Sequence, residues 1–243
     1  TTKEKEYEYQ ELYNALTGKN YQNPDELEIN TIDDVIYMHL KNDMSFILDD
    51  WQNLFEQQST FNPNQPLRGF FYFADLYKVK YFGKKIYSTR LLKIPTPQYI
   101  VFYNGTASMP DRKELRLSDA FQQPTTQPDI EVVAHMLNIN YGHNKELMER
   151  CRKLKEYAQF IDIIRCYLRE NKQWSNEQAI SKAIDDCIKN NILRDILQKE
   201  RLRVMASILS EFDEVGYKEM IQDEAIEDGE IRGSIKLAYK LKL

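Results

Sequence analysis

The chain has 243 residues, 42% of them hydrophobic, 12% aromatic and 29% charged, with a formal net charge of −5. That size and apolar content support a real core, as one large domain or one domain with a helical appendage, and the acidic balance argues against a nucleic-acid binder working by bulk charge. No run approaches the ~18 apolar residues of a membrane span, and the first residues lack the apolar core of a signal peptide. Cys151, Cys166 and Cys187 have no metal-binding spacing and read as reduced thiols of a cytoplasmic protein. His39, His135 and His143 are scattered, and no HxH, HExxH or CxxC occurs, which speaks against a zinc site.

In chain order, Tyr9, Leu12, Tyr13 and Leu16 predict a helix over residues 4–17, stopped at Gly18, with Glu11 at a solvated position. Residues 18–33 read as a loop with a short extended piece at Leu27–Ile29. Residues 31–41 read as a strand, with a short helix as the alternative. A β-hairpin follows over residues 43–58. Pro66 then opens a helix over residues 67–78, where proline is tolerated in the first turn. Arg68 lies near that helix's N-terminus, where the dipole disfavours a cation, so it points to a carboxylate or phosphate partner or to plain exposure. Residues 78–93 are the one clearly basic stretch, with tyrosines among the cations, and suit either a phosphate-tracking groove or a solvated loop. Tyr99–Gly105 is the clearest buried strand, residues 111–121 read as a loop with a helical turn, and Ile130–Ile139 is a second strand candidate with some helical character. Beyond Asn144, a plausible N-cap, helical periodicity continues almost unbroken to Asn171. Further helices start at Ser175 and cover residues 192–212, before a highly charged segment to Leu243. These alternations predict a mixed α/β sheet with helices packed on it, a core over 1–143 and a helical region over 144–243 packed against it.

The hairpin carries the chemistry. If Asp49-Asp50 is a two-residue turn, Leu48 faces Trp51 and Asp43 lies opposite Glu56, with Gln58 on the face of Glu56. Opposed like charges destabilise a bare hairpin; a hard divalent cation such as Mg²⁺ would offset that. The plain alternative is a solvated hairpin end. Asp-Asp also lacks the glycine that a type I′ turn prefers, and a longer loop would shift the pairing.

Several segments together resemble the recombination-promoting nuclease family, transposase-related members of the PD-(D/E)XK nuclease superfamily. They are Leu12–Leu16, Met38–Asp43, Leu54–Asn64, Pro66–Arg68, Pro97–Gly105, Glu114–Asp119 and Leu137–Gly142. The resemblance implies a restriction-endonuclease-like mixed β-sheet core flanked by helices, here with a helical C-terminal extension and the active site on the first hairpin. It makes Asp43 and Glu56 acidic metal ligands for Mg²⁺ or Mn²⁺. Gln58 then stands where the superfamily usually has a lysine, and glutamine offers hydrogen bonds without charge. Lys41 or a residue of the basic stretch would compensate, Glu11 would be a further acidic contributor and Arg68 a supporting group. Relatives commonly extend further at both ends.

The function so implied is a metal-dependent DNA endonuclease, with Lys78, Lys80, Lys84, Lys85 and Arg90 on the DNA backbone and the C-terminal helices available for self-association. The alternative is a catalytically weak nuclease fold that binds DNA or a protein partner. Neither GxGxxG nor a P-loop is present, and no basic amphipathic helix points to a membrane.

Overall fold

The computed structural model describes residues 2–20, 22, 28–29, 44–48, 50–83 and 86–212. A six-stranded mixed sheet is its centre, in the order β1-β2-β3-β4-β6-β5. The strands are β1 (Glu28–Ile29), β2 (Met44–Leu48), β3 (Trp51–Gln58), β4 (Thr96–Tyr103), β5 (Arg112–Arg116) and β6 (Val133–Asn138). β1, β2 and β3 form an antiparallel meander, β3, β4 and β6 run parallel, and β5 closes the far edge antiparallel to β6. Helices α1 (Thr2–Thr17), α2 (Gln65–Tyr81), α3 (Lys145–Arg150), α4 (Arg152–Glu170), α5 (Asn176–Lys189) and α6 (Arg194–Lys199) surround it, with α7 over residues 201–212. The fold is therefore mixed α/β, a sheet flanked by helices with a helical C-terminal region.

Period-two alternation splits the core into two layers. Leu54, Tyr99, Val101, Tyr103, Ala134 and Met136 face α2 and bury Phe73 of that helix. Phe55, Ile100, Phe102 and Leu137 face the other way, in one continuous apolar cluster that runs from Leu12 and Tyr13 of α1 through α3–α6 to Val204 and Ile208 of α7. β4 is buried on both faces, as expected of a central parallel strand. It needs the α2 crossover because a parallel neighbour of β3 cannot be reached by a tight turn.

The hairpin has the two-residue register: Leu48 pairs with Trp51 and Met44 with Phe55. Asp50 takes the left-handed conformation at φ 60°, which a short aspartate tolerates and a two-residue hairpin turn requires. Asp43 and Lys41, the strand expected over residues 31–41 and the 213–243 segment lie outside the described residues, as do Lys84 and Lys85.

Two local expectations need correction. Residues 112–116 are a strand, not a loop. Of Arg-Lys-Glu-Leu-Arg only Leu115 is buried, and an edge strand hides its identity behind charges that protect the edge. The helix after Asn144 is broken: Cys151 is extended at φ −124°, ψ 92°, dividing α3 from α4. Asn144 is the N-cap residue of α3, as its position implied, but its side chain makes no capping hydrogen bond. It sits left-handed at φ 41° and donates instead to the carbonyls of Asp111 and Asn138, tying the β6 exit to the β5 entry. Ser175, by contrast, forms a full capping box with Gln178.

The helical layer carries an acid-sensitive joint. Arg201 of α7 meets Asp185 of α5 at 2.6 Å, and this hydrogen bond holds the Asp185 carboxyl below its ordinary range. A depressed carboxyl stabilises the fold above the unfolded value of ~3.9 and loses that contribution as pH falls through the folded value. Asp186, held down by Lys182 and then Tyr167, acts in the same direction. Melting temperature should therefore drop as pH falls below about 4, and Asp185→Asn should flatten that dependence; an unchanged slope would remove the joint from the account.

Candidate functional site

Glu56 is the one acidic side chain of β3, and it is buried, 4% exposed, on the face covered by α2. A carboxylate taken out of water must be paired and hydrogen-bonded, and the first turns of α2 do this. Arg68 Nη2 lies 2.7 Å from Glu56 Oε1, and the Gln65 and Gln58 amides donate to the same oxygen at 3.3 and 3.1 Å. The Tyr99 hydroxyl is 2.6 Å from Glu56 Oε2 and equally 2.6 Å from Gln65 Oε1. With a single proton it donates to one of them at a time. The positive end of α2 adds to the attraction for the carboxylate.

Helix and strand come this close because of Gly69. A Cβ there would stand 2.5 Å from Cε1 of the Tyr99 ring. Arg68, Tyr72 and Gln65 thus sit over β3 and β4, and the Arg68 guanidinium is steadied by the Tyr72 hydroxyl at 3.1 Å and by its ring. The carboxylate partner suggested by the unfavourable helix position of Arg68 is Glu56.

Gln58, two residues on, shares that face and is bonded to Glu56 through Nε2, while its Oε1 is buried with no hydrogen-bond partner. An unpartnered buried carbonyl oxygen beside a carboxylate is a pair of hard oxygen donors, the chemistry Mg²⁺ accepts. In this respect the residues fit a divalent cation. Glu56 and Gln58 would hold it, with Asp43 beyond the described residues as the remaining carboxylate of the hairpin. Among the described residues, no group of three or more His, Cys, Asp and Glu side chains is placed to hold a metal.

The other candidates are dispersed. Glu11 accepts the backbone N–H of Arg152 at 3.2 Å and so serves the start of α4, with partners different from those of Glu56. Lys78 and Lys80 are exposed on the last turn of α2, and Arg90 is exposed in the loop beyond it.

A second polar centre lies on the opposite face of the sheet, one that residue spacing alone does not reveal. Gln57, alternate to Glu56 and Gln58, donates to the Tyr157 hydroxyl at 2.7 Å and to Glu211 at 3.3 Å; Asn104 donates to the same two groups at 3.2 and 2.8 Å. Burial, reinforced by the Glu211 charge, pushes the Tyr157 hydroxyl well above its ordinary pKa, so it stays protonated. Arg165 donates to Asn140 at 2.6 Å and to the Asn104 carbonyl. Beside this network, at the carboxyl ends of β3, β4 and β6, opens a crevice of about 750 Å³ lined in part by Ser59, Gly105, Asn140, Arg165 and Glu211. Its signal in the sequence was only Asn104-Gly105 closing the strongest strand.

Among the described residues no helix is long and apolar enough to cross a membrane. No family model, curated protein or solved structure matches the chain.

Proposed function

We propose that the protein is a metal-dependent DNA endonuclease acting through the β2–β3 hairpin. The observation that carries this reading is the pairing of a buried carboxylate, Glu56, with the unpartnered Oε1 of Gln58 on one strand face. The motif resemblance converges on the same two residues together with Asp43. A bound divalent cation would polarise a phosphodiester and lower the pKa of a water. Glu56 and Asp43 supply its negative ligands. Gln58 would add a neutral oxygen donor through Oε1 and so help to position the attacking water. Arg68, released from Glu56 when other positive charge takes its place, has the planar fork that suits a phosphate.

Supercoiled plasmid incubated with purified protein and Mg²⁺ or Mn²⁺ should be nicked, and Asp43→Asn and Glu56→Gln should each reduce the rate by at least about 10²-fold, the scale of losing one group acting on the transition state. Equal nicking by wild type and both variants would mean contamination and end the proposal.

One observation favours the binding-module reading: the Glu56 carboxylate already carries a guanidinium and three neutral donors. Three of these donors crowd Oε1, which leaves that oxygen little capacity for a cation. Under that reading Mg²⁺ titration gives no heat by calorimetry, and DNA affinity is indifferent to Asp43→Ala.

A further inference from the structure

Between Asp75 and Asp111 the chain carries Lys78, Lys80, Lys84, Lys85, Arg90 and Lys93 and no carboxylate, within a protein of net charge −5. The described part of this segment is also where large apolar side chains stand in water. Val79 is 89% exposed, Tyr87 78%, Phe82 66% and Leu91 82%. Phe71, on the same helix, is 57% exposed. The loop is not adrift from the helix, since the Tyr77 hydroxyl donates to the Pro95 carbonyl at 2.7 Å and closes the excursion back onto α2. Cations and bare rings are thus gathered at the C-terminal end of α2, about 20 Å at 1.5 Å per residue from Arg68 and the Glu56 site.

We infer that this surface binds single-stranded DNA, with the exposed rings of Phe82 and Tyr87 stacking on unpaired bases and Lys78, Lys80, Arg90 and Lys93 on its phosphates. The inference rests on the nuclease reading for its biological sense and names the substrate class of that site. Charge complementarity selects a polyanion. The rings choose among polyanions: in a duplex the base faces are stacked on one another, so bare aromatic side chains gain nothing there, whereas every unpaired base offers a face. α2 then joins the two ends of one path, with the strand held at its C-terminus and the phosphodiester presented to Arg68 and Glu56 at its N-terminus.

The test is fluorescence anisotropy with a labelled oligothymidine and a duplex of equal length, in EDTA so that cleavage plays no part. The single strand should bind at least about tenfold tighter, and Phe82→Ala and Tyr87→Ala should each weaken it about tenfold, within the range of one stacked base, while duplex binding stays unchanged. The logarithmic salt slope should be about −3 for four phosphate contacts on a single strand. Equal or tighter duplex binding overturns the proposal. So does binding to phosphatidylserine vesicles without oligonucleotide binding, or self-association through this face that Phe82→Ala abolishes. Single-strand preference with no nicking in Mg²⁺ would leave this surface standing and end the nuclease reading; nicking with duplex preference would do the reverse.

Discussion

Glu56→Ala is expected to cost about 2–4 kcal/mol of folding stability in urea denaturation, independent of any metal. Removing one partner of a buried charge pair leaves the other uncompensated, which typically costs 3–5 kcal/mol. Here the figure is reduced because the Arg68 side chain is 38% exposed and can turn its guanidinium to solvent. What remains is the loss for the Gln65 and Gln58 amides, aimed at a carboxylate that is no longer there, while the Tyr99 hydroxyl keeps Gln65 Oε1 as its acceptor. Arg68→Ala should cost less than Glu56→Ala. The double variant should cost less than the sum of the two single ones, since each removes the same interaction. A loss below about 1 kcal/mol for Glu56→Ala would mean that Glu56 is not the centre of a desolvated cluster. Glu56→Gln keeps the volume and one acceptor oxygen while removing the charge, which makes it the better variant for catalysis and Ala the better one for stability.

Gly105→Ala should be more damaging than its size suggests, about 3 kcal/mol, the upper end of the usual cost of overpacking. Its Cβ would stand 2.1 Å from the Ser59 carbonyl oxygen and 2.5 Å from the Tyr103 hydroxyl. The first neighbour is backbone, fixed where Asn104 N–H already donates to the Gln58 carbonyl at 3.0 Å. Relief must come from parting the ends of β3 and β4. Gly69→Ala meets first the Tyr99 ring, a side chain rather than backbone, and should cost about 1–2 kcal/mol. Thermal melts of the two variants check the order; equal losses would show that the Ser59–Gly105 approach yields easily.

The hairpin, α2, the buried β4 and the helix start at Ser175 were legible because each follows from local rules: alternation, a proline in the first helical turn, an apolar run, a serine ahead of an apolar helical stripe. β5 was not, because an edge strand with one buried leucine carries no alternation worth reading. The break at Cys151 was not, because the apolar stripe continues in phase across it and only the backbone departs. At the candidate site, Glu56 and Gln58 were found on one face by counting alone. Gln65, Gly69 and Tyr99 were missed, although Gln65, Arg68, Gly69 and Tyr72 share one helix face by their spacing. Which strand that face would cover is a tertiary fact. The network of Gln57, Asn104, Tyr157 and Glu211 is tertiary throughout, since its members come from four separate stretches of the chain.

That network also bears on how the chain assembles. The bond from Gln57 to Glu211 closes a separation of 154 residues, and the apolar layer beneath it draws on side chains from Leu12 to Ile208. At a synthesis rate of about 5–20 residues per second, the end of β3 waits roughly 8–30 s for its acceptor to be made. Until α3 and α4 are made, one face of the sheet has only α1 to cover it, and until α7 is made Gln57 and Asn104 lack the carboxylate that will receive them. Contacts of such long range also slow folding once the chain is free. The last described helix therefore closes a layer that the N-terminal sheet opens, and the nascent chain is most vulnerable to aggregation before the C-terminal helices emerge.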